Sequence, residues 1–243
     1  MPKTALITGA AKRIGASIAQ KLHASGYHVI LHYRQSKDEA IKLRDNLNSI
    51  RGGSAEVVQA DFLESDAISL LVDNVSCRGG DLNVLVNNAS SFYPTPLAEI
   101  TEQQWDELIG SNLRAPFFLS LALYPLLSRC KGSIVNICDI HALHPLKGFP
   151  VYSIAKSGVV AMTRSLAQEF APLVRVNGIA PGAILWPENK MDLNAKQEIL
   201  SRVPLERCGS PNDIANGVLF FAHNADYVTG QILPIDGGRS LSN

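Results

Sequence analysis

The sequence predicts an α/β domain, one parallel seven-stranded sheet with helices on both faces. Three observations carry that expectation. Short apolar runs alternate with longer helix-like stretches from one end of the chain to the other, the pattern left when each strand is followed by a crossover helix. The first run passes through a turn with two glycines straight into an amphipathic stretch, the context in which backbone N–H groups and a helix dipole face an anion. The 243 residues, 46% of them hydrophobic, are enough for one domain with a substantial core. No Pro/Gly-rich linker, charge block, internal repeat or low-complexity segment divides them, so a single domain over 1–243 is expected.

The elements follow in order. Thr4-Ala5-Leu6-Ile7 centres a strand over 3–8, and Thr8-Gly9-Ala10-Ala11-Lys12-Arg13-Ile14-Gly15 leads into a helix over 13–25. Further strands are expected over 27–33, 55–60, 83–87, 132–138, 174–179 and 231–235, each a short apolar run. Helices are expected over 36–50, 65–79, 101–128, 152–171, 194–201 and 211–223. The stretch 183–210, with Trp186-Pro187-Glu188-Asn189-Lys190 inside it, breaks the alternation and is expected to form a loop with one or two short helices over the site. The whole reads as a single Rossmann-like, doubly wound domain.

Bulk properties narrow the function. Formal net charge is zero, so no electrostatic drive toward nucleic acid or anionic membranes is expected. Cys77, Cys130, Cys138 and Cys208 show no paired spacing, which points to reduced thiols and a cytoplasmic location. Met1-Pro2-Lys3 runs directly into the first strand, so no signal peptide is expected. No apolar run approaches the roughly 20 residues of a membrane span. His141 and His144 lie close together without acidic or cysteine partners at ligand spacing, so no metal is expected.

The most informative chemistry is Asp139, Tyr152 and Lys156. Tyr152 and Lys156 are four residues apart at the start of a helix, on one face. An ammonium beside a phenol favours the phenolate and is expected to draw the tyrosine pKa down toward working pH, as a general acid for carbonyl or imine reduction requires. Asp139 stands thirteen positions before the tyrosine, just past an apolar strand. The plain alternative is a surface tyrosine with a solvated lysine. At the other end of the chain the Gly9–Gly15 turn is not GxGxxG, and Arg13 in it either contacts a pyrophosphate or caps a turn in solvent. After the second strand come His32-Tyr33-Arg34-Gln35-Ser36, with no carboxylate until Asp38. A carboxylate there would repel a 2′-phosphate, whereas Arg34 and the Ser36 hydroxyl suit one, so NADPH is expected over NADH. Asn87-Asn88-Ala89-Ser90-Ser91-Phe92-Tyr93-Pro94 follows the fourth strand; the asparagines brace the sheet end, and Phe92 either stacks on a flat ligand or packs locally.

Taken together these residues resemble the short-chain dehydrogenase/reductase family over the entire chain. The matches are Thr8-Gly9 and Gly15, Asp61, Asn87-Asn88-Ala89, Asn112, Tyr152-x-x-x-Lys156, Pro181-Gly182 and Asp236-Gly237-Gly238. Two departures, Asp139 in place of the usual serine and Arg13 in place of a glycine, are similar to the pteridine reductases. So are the turn over 8–15, the pair His32-Tyr33 and the octapeptide Ser90 to Leu97. In that subgroup the basic residue after His-Tyr can sit one position later, where this chain has Gln35; Arg34 is expected to substitute.

The resemblance implies an NADPH-dependent reductase of pterins, with dihydropterin and dihydrofolate among its substrates, assembled as a homotetramer. Implied cofactor contacts are Gly9, Arg13, Ile14, Gly15, His32, Tyr33, Arg34, Ser36, Asp61, Phe62, Asn88, Ala89, Ser90, Tyr152, Lys156, Pro181 and Gly182. Implied substrate contacts are Arg13, Ser90, Phe92, Asp139, Tyr152, Gly182 and Leu185. Phe92 would sandwich the ring against the nicotinamide, Lys156 would hold the ribose and polarise Tyr152, and Asp139 with Tyr152 would pass a proton to the ring nitrogen. Asn112 would support a helix bend and a water near Lys156. A carbonyl or 3-oxoacyl reductase of the same family is the nearest rival. A non-catalytic NADPH-binding regulator is the rival of another class.

Overall fold

The computed structural model describes residues 3–77, 81–185 and 192–241. Seven strands lie in one sheet: β1 (Thr4–Ile7), β2 (His28–Tyr33), β3 (Ala55–Gln59), β4 (Val84–Asn87), β5 (Ser133–Ile137), β6 (Arg175–Pro181) and β7 (Ile232–Ile235). Their spatial order is β3-β2-β1-β4-β5-β6-β7, and every pairing is parallel. The strands read as near-continuous apolar runs because both of their faces are covered. In β1, Ala5 and Ile7 enter one core while Leu6 enters the other; in β4, Val84 and Val86 oppose Leu85 in the same way. This is the period of two expected of a pleated strand.

Helices α1 (Arg13–Ala24) and α2 (Lys37–Ile50) cover the first face, together with α8 (Pro211–His223). Their Ile18, Leu22, Leu43, Leu47, Ile214 and Val218 are buried there. On the second face lie α3 (Ala67–Ser76), α5 (Ala115–Arg129) and α6 (Pro150–Glu169), through residues such as Leu71, Leu119, Leu123 and Val159. In chain order α4 (Glu102–Ile109) precedes α5, and α7 (Leu193–Ser201) precedes α8. Local signals fix several ends. Thr101 and Gln104 form a reciprocal cap on α4, Ser210 and Asp213 do the same on α8, and Pro150 and Pro211 stand at the first helical position of α6 and α8.

The expected helix over 101–128 is corrected. It is two helices, α4 and α5, joined by a π-helical turn over Gly110–Arg114 that carries Asn112. The apolar pattern runs on through that turn because an inserted residue shifts the register without ending the helix. The helix expected from 152 begins two residues earlier, at Pro150. Trp186 to Lys190, singled out within the lid, lie outside the described residues.

Candidate active site

Strand order reverses at β1, whose neighbours β2 and β4 continue in opposite directions, and the crevice beyond its carboxyl end is where a doubly wound sheet takes ligands. The chain builds that crevice from the turn after β1 and the strand end of β4. The Thr8 hydroxyl accepts the backbone N–H groups of Asn88 (2.9 Å) and Ala89 (3.0 Å), and Asn88 Nδ2 donates to the carbonyls of Thr8 (2.9 Å) and Gly9 (3.0 Å). Only glycine fits at two places. Gly9 has φ +62° and a Cβ there would lie 2.9 Å from Ala89 Cα; at Gly15 a Cβ would lie 2.1 Å from the Gly9 carbonyl. Arg13 adopts φ +52°, the left-handed conformation that glycine takes most readily, and its side chain is exposed at the head of α1.

A cleft of about 230 Å³ runs from this turn across the ends of β2 and β3. Of the expected cofactor residues, Gly9, His32, Tyr33, Arg34, Ser36, Asp61, Phe62, Ala89 and Ser90 line it. Gln35 lines it too, as do Lys12 and Ser111, to which the sequence assigned no role. Lys12 pairs with Glu39 at 2.6 Å. Ser36 precedes α2 without capping it through its side chain, so its hydroxyl stays available to the cleft.

Two of the expected cofactor contacts have side chains engaged within the protein. His32 is buried. Its Nδ1 accepts from the Gly9 N–H (3.1 Å), Nε2 donates to the Ala60 carbonyl (3.0 Å), and the ring stacks on Phe62 at 4.6 Å. Both ring nitrogens therefore brace the turn, and burial pushes the imidazole down to about 4, so it is neutral. Ile14 packs its side chain against the core, leaving only backbone for a ligand. Arg34 points at carboxylates: its Nε is 2.8 Å from Asp61 Oδ2, and a terminal guanidinium nitrogen is 3.9 Å from Glu107. Two glycines that exclude side chains and a helix N-terminus fit the pyrophosphate of a dinucleotide.

The proton-handling groups lie at the ends of β5 and on the first two turns of α6. Tyr152 donates to Asp139 Oδ2 at 2.6 Å, and Asp139 Oδ1 accepts the His141 N–H at 2.8 Å. Lys156, buried, donates to the Ile137 carbonyl at 2.9 Å, with Nζ 5.7 Å from the Tyr152 ring centre. The expected lowering of the tyrosine pKa is corrected here. Burial, then the Asp139 carboxylate, hold Tyr152 well above its ordinary value, while burial lowers Lys156. The phenol is 5% exposed and its oxygen faces an anion, so its proton is retained. Cys138, beside them, is pushed up to about 12 by burial and is an inert thiol.

Phe92, 55% exposed, stacks on Phe149 (centres 4.6 Å apart, planes at 7°) and meets Tyr152 edge-on at 4.7 Å. Phe149 was not anticipated; its signal was an aromatic directly before Pro150, three residues ahead of the tyrosine. Asn112 receives the Ser91 N–H (3.0 Å) and donates to the Ser91 carbonyl (2.9 Å). Both ends of its amide therefore hold the Ser90–Phe92 segment. Asn87 donates to Asn136 and Ser120, and Asn136 to Thr163, a buried polar chain bracing the strand ends beneath the site. Pro181 closes β6, and Gly182 passes so close to Asp236 that a Cβ would lie 2.6 Å from its side chain. Leu185 follows, 38% exposed. Among the described residues no cluster of His, Cys, Asp or Glu is placed to hold a metal, and no helix is long and apolar enough to cross a membrane.

A dinucleotide crevice with a buried proton donor beside it defines a Rossmann-type oxidoreductase. Residues 9–240 match the family model described as enoyl-(acyl carrier protein) reductase. The chain is 39% identical to pteridine reductase 1 of Leishmania tarentolae, over 98% of this chain and 96% of that one. It is 35% identical to a 3-oxoacyl-(acyl-carrier-protein) reductase of Staphylococcus epidermidis, over 99% and 100%. A third relative, 36% identical over 98% and 96%, is the granaticin polyketide synthase putative ketoacyl reductase 2 of Streptomyces violaceoruber. The chain belongs to the short-chain dehydrogenase/reductase family, whose members work with a nicotinamide dinucleotide.

Proposed function

We propose that this protein is an NADPH-dependent reductase that saturates a C=N bond of a pterin ring, taking dihydropterins and dihydrofolate. The observation that carries the reading is the 2.6 Å hydrogen bond from Tyr152 to Asp139. An ionised carboxylate only accepts hydrogen bonds. A pterin edge, rich in N–H donors, satisfies it, whereas a ketone offers only an acceptor and develops negative charge that the carboxylate opposes. The likeness to pteridine reductase 1 over nearly all of both chains supports the same reading.

When bound, NADPH supplies the hydride. Tyr152 delivers the proton to the neighbouring ring nitrogen, Asp139 holds the ring's donor edge, and Lys156 stabilises the phenolate left behind. Phe92 supplies an aromatic face for stacking. Arg34 and Ser36 would hold the 2′-phosphate, with Arg34 exchanging Asp61 for a stronger, bidentate partner. Exposed apolar residues on α5 and α6, Phe118, Leu121 and Ile154, suit the homotetramer that the resemblance implied, and free thiols suit a cytoplasmic location.

Similarity to 3-oxoacyl reductases over the full chain keeps a β-ketoacyl substrate as the second reading. NADPH oxidation against dihydrobiopterin, dihydromonapterin, dihydrofolate and a β-ketoester, measured side by side, separates the two. Turnover of the pterins well above the ketoester is expected; a preferred ketoester would overturn the pterin reading. Arg34→Ala should raise the NADPH KM about 10-fold or more and leave that for NADH nearly level, since a charge-assisted bond is worth about 1.5–3 kcal/mol.

A further inference from the structure

The two ends of the site are joined by one side chain outside both. Glu107, on α4, has one carboxylate oxygen 3.9 Å from the Arg34 guanidinium, while its other oxygen accepts the Tyr93 hydroxyl at 3.1 Å. Tyr93 adjoins Phe92, the exposed aromatic beside Tyr152. Its hydroxyl also reaches the Gln104 carbonyl at 3.4 Å, a longer contact within the same helix that Glu107 occupies. The partners of Arg34 are thus two carboxylates, Asp61 at 2.8 Å and Glu107, and one of the two also anchors the loop that presents Phe92.

We propose that Glu107 is a positioning residue that couples phosphate at the Arg34 end of the cleft to the seating of a flat substrate at Phe92. A phosphate dianion offers Arg34 two strong, parallel hydrogen bonds and draws the guanidinium toward itself. Glu107 then loses its cation, and the Tyr93 hydroxyl becomes the donor that balances its charge. The Tyr93–Glu107 bond strengthens and the Phe92 segment is held more firmly in place. The ordering cost of that segment is met when the cofactor binds, so the substrate that follows binds more tightly. Glu107 touches neither ligand in this account; it acts through Arg34 and Tyr93.

The coupling rests on the NADPH reading above, and the test separates the two. NADPH and NADH carry the same nicotinamide and differ only in the 2′-phosphate. The dihydropterin KM is therefore measured at saturating NADPH and at saturating NADH, in the natural protein, in Glu107→Gln and in Tyr93→Phe. In the natural protein the pterin KM should be about three-fold lower with NADPH, the scale of a half-exposed ion pair. Both variants should bring the ratio of the two KM values to about one; a general loosening of the fold would instead raise both KM values together and leave their ratio. Glu107→Gln should in addition lower the NADPH KM, because one of the carboxylates competing for Arg34 loses its charge. Equal pterin KM values in the natural protein, despite a preference for NADPH, overturn the coupling alone, as does a ratio that persists in both variants. NADH saturating as readily as NADPH, or no pterin turnover with either, overturns the NADPH-pterin reading and the coupling with it.

Discussion

Tyr152 and Asp139 share one short hydrogen bond, and the direction of the charge effect decides how the pair works. A carboxylate beside a buried phenol raises the cost of the phenolate, so the tyrosine keeps its proton well above the usual phenol range. Loss of the acid form should therefore not limit turnover below about pH 10, the ordinary phenol value. Asp139→Asn removes the anion, lowers the tyrosine pKa and should move the alkaline limb of the kcat profile to lower pH. A limb that stays in place would separate Asp139 from the proton transfer. Tyr152→Phe should cut turnover by about 10²-fold or more, while NADPH affinity measured by fluorescence titration stays near its starting value. His32 makes a separate prediction about stability. Its folded pKa lies near 4, below the ordinary 6.5, so the unfolded chain takes up a proton first as pH falls. The stabilisation is fully present above pH 6.5 and is lost on acidification through about 4, up to about 3 kcal/mol. Urea unfolding between pH 7 and pH 4 should show that decline, and His32→Gln should flatten it.

At the scale of elements, the π-helical turn between α4 and α5 is the feature that ties the site together. The turn widens the helix by one residue and aims Asn112 at the Ser91 backbone instead of along the helix surface. Asn112→Ala removes both bonds to that segment, each worth about 1 kcal/mol net. Since the segment carries Phe92, the expected result is a pterin KM raised about 10-fold or more, with a smaller change in NADPH KM. An unchanged pterin KM would reduce Asn112 to a helix-bend residue. Much of this region was legible residue by residue: the octapeptide Ser90 to Leu97, Asn112, Asp139, Tyr152 and Lys156 were all named from the chain alone. The use of Asn112, the stacking of Phe149 on Phe92, and the Arg34–Asp61 pair were not. Each joins positions more than twenty residues apart, and neither local pattern nor residue type reports which distant partner wins.

At the scale of the molecule, apolar side chains on α5 and α6 stand in the open, with Phe118 at 46% and Ile154 at 50% exposure. Large exposed apolar residues on adjacent helices are where a symmetric oligomer buries its surface. Light scattering should return four chains per particle, and Phe118→Glu should shift the assembly toward smaller species at micromolar concentration. A monomer in the natural protein would sink the homotetramer.

Sequence alone determined the alternation of strand and helix, the glycine turn after β1 and the residues able to move a proton, because these depend on local periodicity, backbone freedom and side-chain chemistry. The tertiary structure decided the strand order, the break in the helix at Gly110–Arg114, the neutral bracing role of His32 and the sign of the Tyr152 shift. A pKa depends on burial and on charges brought near by folding, and here the aspartate thirteen residues back hydrogen-bonds the phenol oxygen, whereas the lysine four residues on bonds the Ile137 carbonyl.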